Sequence, residues 1–213
     1  MHVRLRPTEI LSQEHRVIER VLDCVDVIAQ RARRNAALDA ASAREALEFL
    51  ATFADACHHG KEERALFPRM EQRGIPRHVG PLAVMLHEHE VGRAAIRGMR
   101  EALERFERGE TAAAPDFADA AEQYVGLLHE HIAKEDQVLF PMAEACLGEP
   151  DREAVLARFE ETETKDLPPG THRRMLALAD TLCERFGIAR ESCEPSSSAQ
   201  CGSSKPGGSC CCG

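Results

Sequence analysis

The sequence predicts an all-α protein: an up-down-up-down four-helix bundle with two additional C-terminal helices and a disordered Cys-rich tail. Three observations lead there. The 213 residues include one tyrosine and no tryptophan and are rich in alanine, leucine, glutamate and arginine, a composition that favours helix over strand. Apolar residues recur at helical spacing through four long segments. Short loops marked by glycine and proline join those segments, which sets successive helices antiparallel.

The first helix is expected from about Pro7 to about Arg33, with proline in its first turn and Leu11, His15, Ile18, Leu22 and Val25 on one face. The second begins near Ala41 and carries Leu47, Leu50, Ala54, His58, Glu62 and Leu66. It should bend or stop at Pro68, which removes a backbone donor. The third runs from about Pro81 to Arg108, with Leu82, Met85, Leu86, His89, Ile96, Met99, Leu103 and Phe106 inward and Gly109 just past its end. The fourth, from about Pro115 to Leu147, turns Tyr124, Leu127, Leu128, His131, Glu135, Val138, Leu139 and Met142 inward. Two shorter patterns follow, Asp151 to about Thr164 and Thr171 to about Phe186, expected to pack on the bundle. From about Glu191 there is no apolar periodicity to offset the entropy of ordering. The expected organisation is thus a bundle over 1–148, a helical extension over 149–190 and a disordered tail over 191–213.

The formal charge of -9, from 27 Lys+Arg against 36 Asp+Glu, would repel a nucleic-acid backbone or an anionic membrane, so neither is an expected partner. No apolar stretch follows the basic start MHVRLRPTEI, and none is long enough to span a bilayer. A cytoplasmic location follows. Of nine cysteines, six lie from Cys183 onward, and Cys24, Cys57 and Cys146 stand isolated, so the core is not expected to depend on disulfides.

An internal repeat carries the chemistry. HHGKEERALFP, from His58, matches HIAKEDQVLFP, from His131, at an offset of 73 residues; EHRVIERVL, from Glu14, matches EHEVGRAAI, from Glu88, at 74. Two copies of one helix pair, related by approximate twofold symmetry, are implied. His58 and Glu62, like His131 and Glu135, are four apart and stack on one helix face, with Cβ atoms about 5–6 Å apart. With His15 and His89 on otherwise apolar stripes, six ligands point into one core: His15, His58, Glu62, His89, His131 and Glu135.

The register chooses among neighbouring histidines. His87 lies two positions, hence about 200°, from His89, and His129 bears the same relation to His131, so both should face away. His59 aligns with Ile132 in the repeat, which favours His58 and Glu62 over His59 and Glu63. His2, His78 and His172 lack paired partners and read as surface or packing residues. Glu19 reads as an exposed partner of Arg20 or Arg33. The two Leu-Phe-Pro segments should end helices and wall the centre from solvent. Buried glutamates need a counter-charge, and no inward Lys or Arg stands opposite them, so metal cations are expected to supply it. Imidazole with carboxylate suits two iron ions bridged by Glu62 and Glu135 together with an oxo or hydroxo group, manganese or zinc being less favoured.

These motifs, EHRVIERVL, HHGKEERALFP, LHEHEVGR and HIAKEDQVLFP, resemble the hemerythrin-like, or HHE cation-binding, domain family over about residues 8–147. The resemblance implies a four-helix bundle with a non-haem di-iron site on the same six residues. It also implies a small diatomic or peroxide partner, since relatives include oxygen carriers, oxygen or redox sensors, and proteins of nitric oxide stress and iron-sulfur cluster repair. Oxygen carriers offer a second histidine four residues after the first on the third helix, whereas four residues after His89 stands Arg93. One iron would then have a ligand fewer, which moves the expectation from oxygen carriage to redox or nitrosative chemistry with O2, NO or H2O2. The rival expectation is an iron-binding or iron-donating protein assisted by the cysteines of its tail, Cys201 and Cys210 to Cys212.

Overall fold

The computed structural model describes residues 5–189, so the tail, with Cys201 and Cys210 to Cys212, and His2 lie outside the described residues. The described residues form helices and no strands. Six continuous helices are present: α1 (Pro7–Asn35), α2 (40–72), α3 (Pro81–Glu107), α4 (113–146), α5 (149–166) and α6 (Thr171–Phe186). The first four form a ring, α1 beside α2, α2 beside α3, α3 beside α4 and α4 beside α1. No described helix is long and apolar enough to cross a membrane.

Each end has a local cause. Pro7 lies in the first turn of α1, and the Glu9 carboxylate accepts a hydrogen bond from the Arg6 N–H at 2.7 Å. Asp39 caps α2 by accepting from the Ser42 N–H at 3.2 Å. Gly187 ends α6 in the left-handed region, at φ +69°, where a Cβ would be strained. Gly92 of α3 faces the Tyr124 ring of α4, where a Cβ would lie in ordinary contact at 3.4 Å.

Of the bend or stop expected at Pro68, the stop does not occur, since the helix continues to Gln72. Before that proline the backbone widens, over Glu62–Leu66, into i→i+5 hydrogen bonding, and the Phe67 N–H donates to the Glu62 carbonyl. The wider turn moves the carbonyls off the proline ring, and Pro68 falls in the first turn of a renewed α-helical stretch, Phe67–Gln72, where its missing N–H costs little. The same device recurs in α4, with a widened turn over Glu135–Leu139 before Phe140 and Pro141. A longer stretch of i→i+5 bonding, Leu50–His59, lies in α2 alone and has no counterpart in α4. Val138, expected inward, is 49% exposed, because it lies within the widened turn and is carried to the outer face.

Two apolar clusters fill the bundle, one above and one below a polar layer. Along α1 the order is Leu11, His15, Ile18; along α3 it is Met85, His89, Ile96. Along α2 it is Ala54, His58, Glu62, Leu66, and along α4 Leu128, His131, Glu135, Leu139. The extension continues both clusters: Val155 and Phe159 of α5 join the Leu-Phe-Pro end, while Met175, Ala179, Leu182 and Cys183 of α6 join the other. Cys24 is therefore not isolated, since its Sγ lies 3.9 Å from that of Cys183. Both thiols are free, and burial pushes that of Cys24 up to about 12.

Candidate metal centre

The polar layer brings all six expected residues together and adds His59. Their side chains converge as two adjoining groups: His15, His58, Glu62 and Glu135 in the first, His59, Glu62, His89 and His131 in the second. All are at most 3% exposed. In the first group, the Nε2 atoms of His15 and His58 approach to 3.1 Å, and His15 Nε2 lies 3.2 Å from Glu135 Oε2. In the second, the Nε2 atoms of His89 and His131 approach to 3.2 Å, and His89 Nε2 lies 3.4 Å from Glu62 Oε2. Glu62 also faces His58 Nε2 at 3.8 Å, and Glu135 faces His131 Nε2 at 3.4 Å, so each carboxylate spans both groups.

An acid stands behind the histidines. His15 Nδ1 meets Asp136 at 2.9 Å, His58 Nδ1 meets Glu14 at 3.0 Å, His89 Nδ1 meets Glu63 at 2.7 Å and His131 Nδ1 meets Glu88 at 2.9 Å. A carboxylate there accepts the Nδ1 hydrogen and leaves the Nε2 lone pair pointing into the layer, which is how metal-binding imidazoles are oriented. These acids follow the repeat: Glu14 and Glu88 each precede an inward histidine, and Glu63 and Asp136 each follow an inward glutamate. Each acid serves a histidine on a neighbouring helix, so it aligns two helices as well as one ring.

His59 corrects the expected register. Its ring stacks on His89, with centroids 3.9 Å apart. In the widened backbone of Leu50–His59, consecutive side chains subtend a smaller angle than in an α-helix, so His58 and His59 both face inward. Its α4 counterpart, Ile132, lies in ordinary α-helix and packs in the apolar core. The expected shortfall of one histidine at that end is thus not found. Arg93 instead binds Asp55 at 2.8 Å and Glu63 at 2.7 Å, the acids beside His59 and His89. His87 and His129 are exposed, as the register requires. Glu19 pairs with Arg16 at 2.7 Å, one turn away, and neither with Arg20 nor with Arg33. His172 is not partnerless, since its Nε2 lies 3.4 Å from Glu14.

The donor set fits cations. All four carboxylate oxygens of Glu62 and Glu135 are buried without a hydrogen-bond partner, an arrangement that costs several kcal/mol per unpaired charge unless a positive charge stands between them. Burial, and next the Glu135 carboxylate, push Glu62 well above the usual carboxylate range. Burial also brings His58 down to about 4 and His89 well below its ordinary value, which favours the neutral, metal-binding ring. His15 moves the other way, to about 9, because Asp136 and Glu135 outweigh its burial. Imidazole nitrogen and carboxylate oxygen without thiolate suit iron and similar divalent ions.

Fold and layer together define a cation-binding helical bundle of the histidine–carboxylate kind. The model of the hemerythrin HHE cation binding domain matches residues 6–143, and the chain belongs to that family. Among curated proteins it is 24% identical over 155 residues to an uncharacterized protein of Mycobacterium tuberculosis and, equally, to one of Mycobacterium bovis, a span covering 73% of this chain and 60% of either relative. It is 36% identical over 86 residues to the iron-sulfur cluster repair protein DnrN of Neisseria gonorrhoeae, covering 39% of this chain and 54% of that one. The matched chain thus spans less than two thirds of the length of these relatives.

Proposed function

We propose that the protein is a cytoplasmic non-haem di-iron protein that binds, senses or reacts with O2, NO or H2O2 in redox or nitrosative stress. Two irons would be held by His15, His58, His59, Glu62, His89, His131 and Glu135. The observation that carries this reading is the pair of buried carboxylates whose four oxygens are unpartnered at the junction of the two histidine groups. Bound there, iron would supply one-electron redox change and coordination positions for a small ligand. The protein's own part is to fix the imidazoles from behind through Asp136, Glu14, Glu63 and Glu88, and to keep water out through the apolar clusters on either side. Glu62 and Glu135, whose oxygens face histidines of both groups, would each help to hold both ions. With His59 in the layer, the absence of a histidine at position 93 no longer argues against oxygen binding.

The alternative is an iron-donating protein of iron homeostasis or iron-sulfur cluster repair, and the likeness to the Neisseria protein named for such repair supports it. One comparison separates the two. The iron-loaded full chain is mixed anaerobically with NO, and with O2 or peroxide in parallel, while the optical spectrum and iron release to a chelator are followed. Ligand-dependent spectral change with iron retained is the expected result. Fast transfer of iron to the chelator with no spectral response to any of the three ligands would overturn the proposal in favour of the donor.

A further inference from the structure

Helices α5 and α6 lie beyond the residues that the family model matches, yet they reach the back of one histidine group. Lys61 is completely buried in α2, and its ammonium lies 2.5 Å from Glu14 and 2.5 Å from Glu163 of α5. His172 of α6 approaches Glu14 at 3.4 Å and Glu163 at 3.9 Å. Phe159 lies under the ammonium, 5.6 Å from the ring centroid. Glu14 in turn holds His58 Nδ1 at 3.0 Å. A chain of contacts therefore runs from the extension through Lys61 and Glu14 to His58 in the first group.

The second half of the repeat supplies the comparison. There Lys134 binds Glu88, and Glu88 holds His131 at 2.9 Å. The Lys134 side chain is 40% exposed, and among the described residues none of α5 or α6 pairs with it or with Glu88. Two equivalent Lys–Glu–His arrangements thus differ in one respect, that the extension seals only the first. Glu14, Cys57, Glu163 and His172 cluster closely enough to suggest a further cation site, but the Lys61 ammonium already stands against both carboxylates and supplies that charge.

We propose that Glu163 and His172 are positioning residues for the metal held by His15 and His58, so that the C-terminal extension sets how firmly that one position keeps its ion. The inference rests on the two-metal reading. In dry surroundings the Lys61–Glu14 pair is held to one geometry, whereas the exposed Lys134–Glu88 pair is loosely held and weak. Removing a partner behind a metal-binding histidine typically costs about 10–100-fold in affinity, and His172 and Glu163 act one and two steps beyond Glu14, at the lower end of that range.

The test is chelator-driven release from the full-length chain loaded anaerobically with Fe(II), followed by absorbance. Glu163→Gln and His172→Ala should each accelerate the loss of one iron equivalent about tenfold and leave the other at the wild-type rate. Glu163→Asp, which keeps the carboxylate, should recover most of the difference. Lys134→Met should change neither phase by more than about twofold. Thermal unfolding of the metal-free variants separates positioning from general loosening: unchanged midpoints with one faster phase are expected. Wild-type rates for both equivalents in Glu163→Gln, or equal acceleration of both, would overturn the proposal. A wild-type chain that takes up fewer than two equivalents would instead overturn the two-metal reading beneath it.

Discussion

At the scale of single residues, the centre depends on pairs in which one member faces the layer and the other stands behind it. Glu14 precedes His15 in the chain but orients His58; Glu63 follows Glu62 but orients His89. The residue that departs from this scheme is His59, whose Nδ1 faces Asp55 at 3.4 Å without making a hydrogen bond, Asp55 being held by Arg93. A ring held less firmly from behind should still bind, because its stacking on His89 fixes its plane. His59→Ala is therefore expected to lower iron content from two equivalents to about one, as His58→Ala should, with metal lost from opposite ends of the site. Metal analysis of the two purified variants checks this; full iron content in His59→Ala would mean that His59 only packs against the centre. The convergence of the six expected residues was legible because all six recur between the two halves, four at an offset of 73 and two at 74, and all lie on apolar stripes. His59 was not, because the repeat gives it an isoleucine as counterpart and α-helical spacing turns it away. The only cue in the chain is indirect: a surplus histidine on the second helix accompanies a missing one at Arg93 on the third.

At the scale of elements, the widened helical turns matter most. Helical content, order and most boundaries follow from apolar periodicity and from Pro7, Pro81, Gly109 and Gly170. The continuity of α2 through Pro68 does not, because a proline in a helical pattern ordinarily ends it; that of α4 through Pro141 was expected, but not the backbone state that permits it. What rescues both helices is i→i+5 bonding just upstream, a backbone state that periodicity cannot reveal. Helix defects of this kind concentrate at functional sites, and the two that precede the prolines begin at Glu62 and Glu135, the two carboxylates shared between the groups. Continuity has a measurable consequence. In native-state hydrogen exchange the amides of Met70 and Glu71 should be protected well above those of the 73–79 loop. Equally fast exchange in both stretches would mean that the helix ends at Pro68 and that the widened turn is not formed.

At the scale of the whole molecule, one polar layer crosses an otherwise apolar bundle between two cores, and the extension adds to both cores. The architecture was legible as a bundle with two appended helices; the side of the layer that the appendage covers was not, since neither Glu163 nor His172 belongs to any repeat or motif. In a bundle of this kind, cations completing the layer would offset the cost of its unpartnered buried carboxylates. The most direct test is a titration of the metal-free full chain with Fe(II) under anaerobic conditions, with bound iron measured after removal of excess. Saturation at two iron ions per folded chain is expected. Saturation at one, or no uptake by a chain that is folded by circular dichroism, would contradict it.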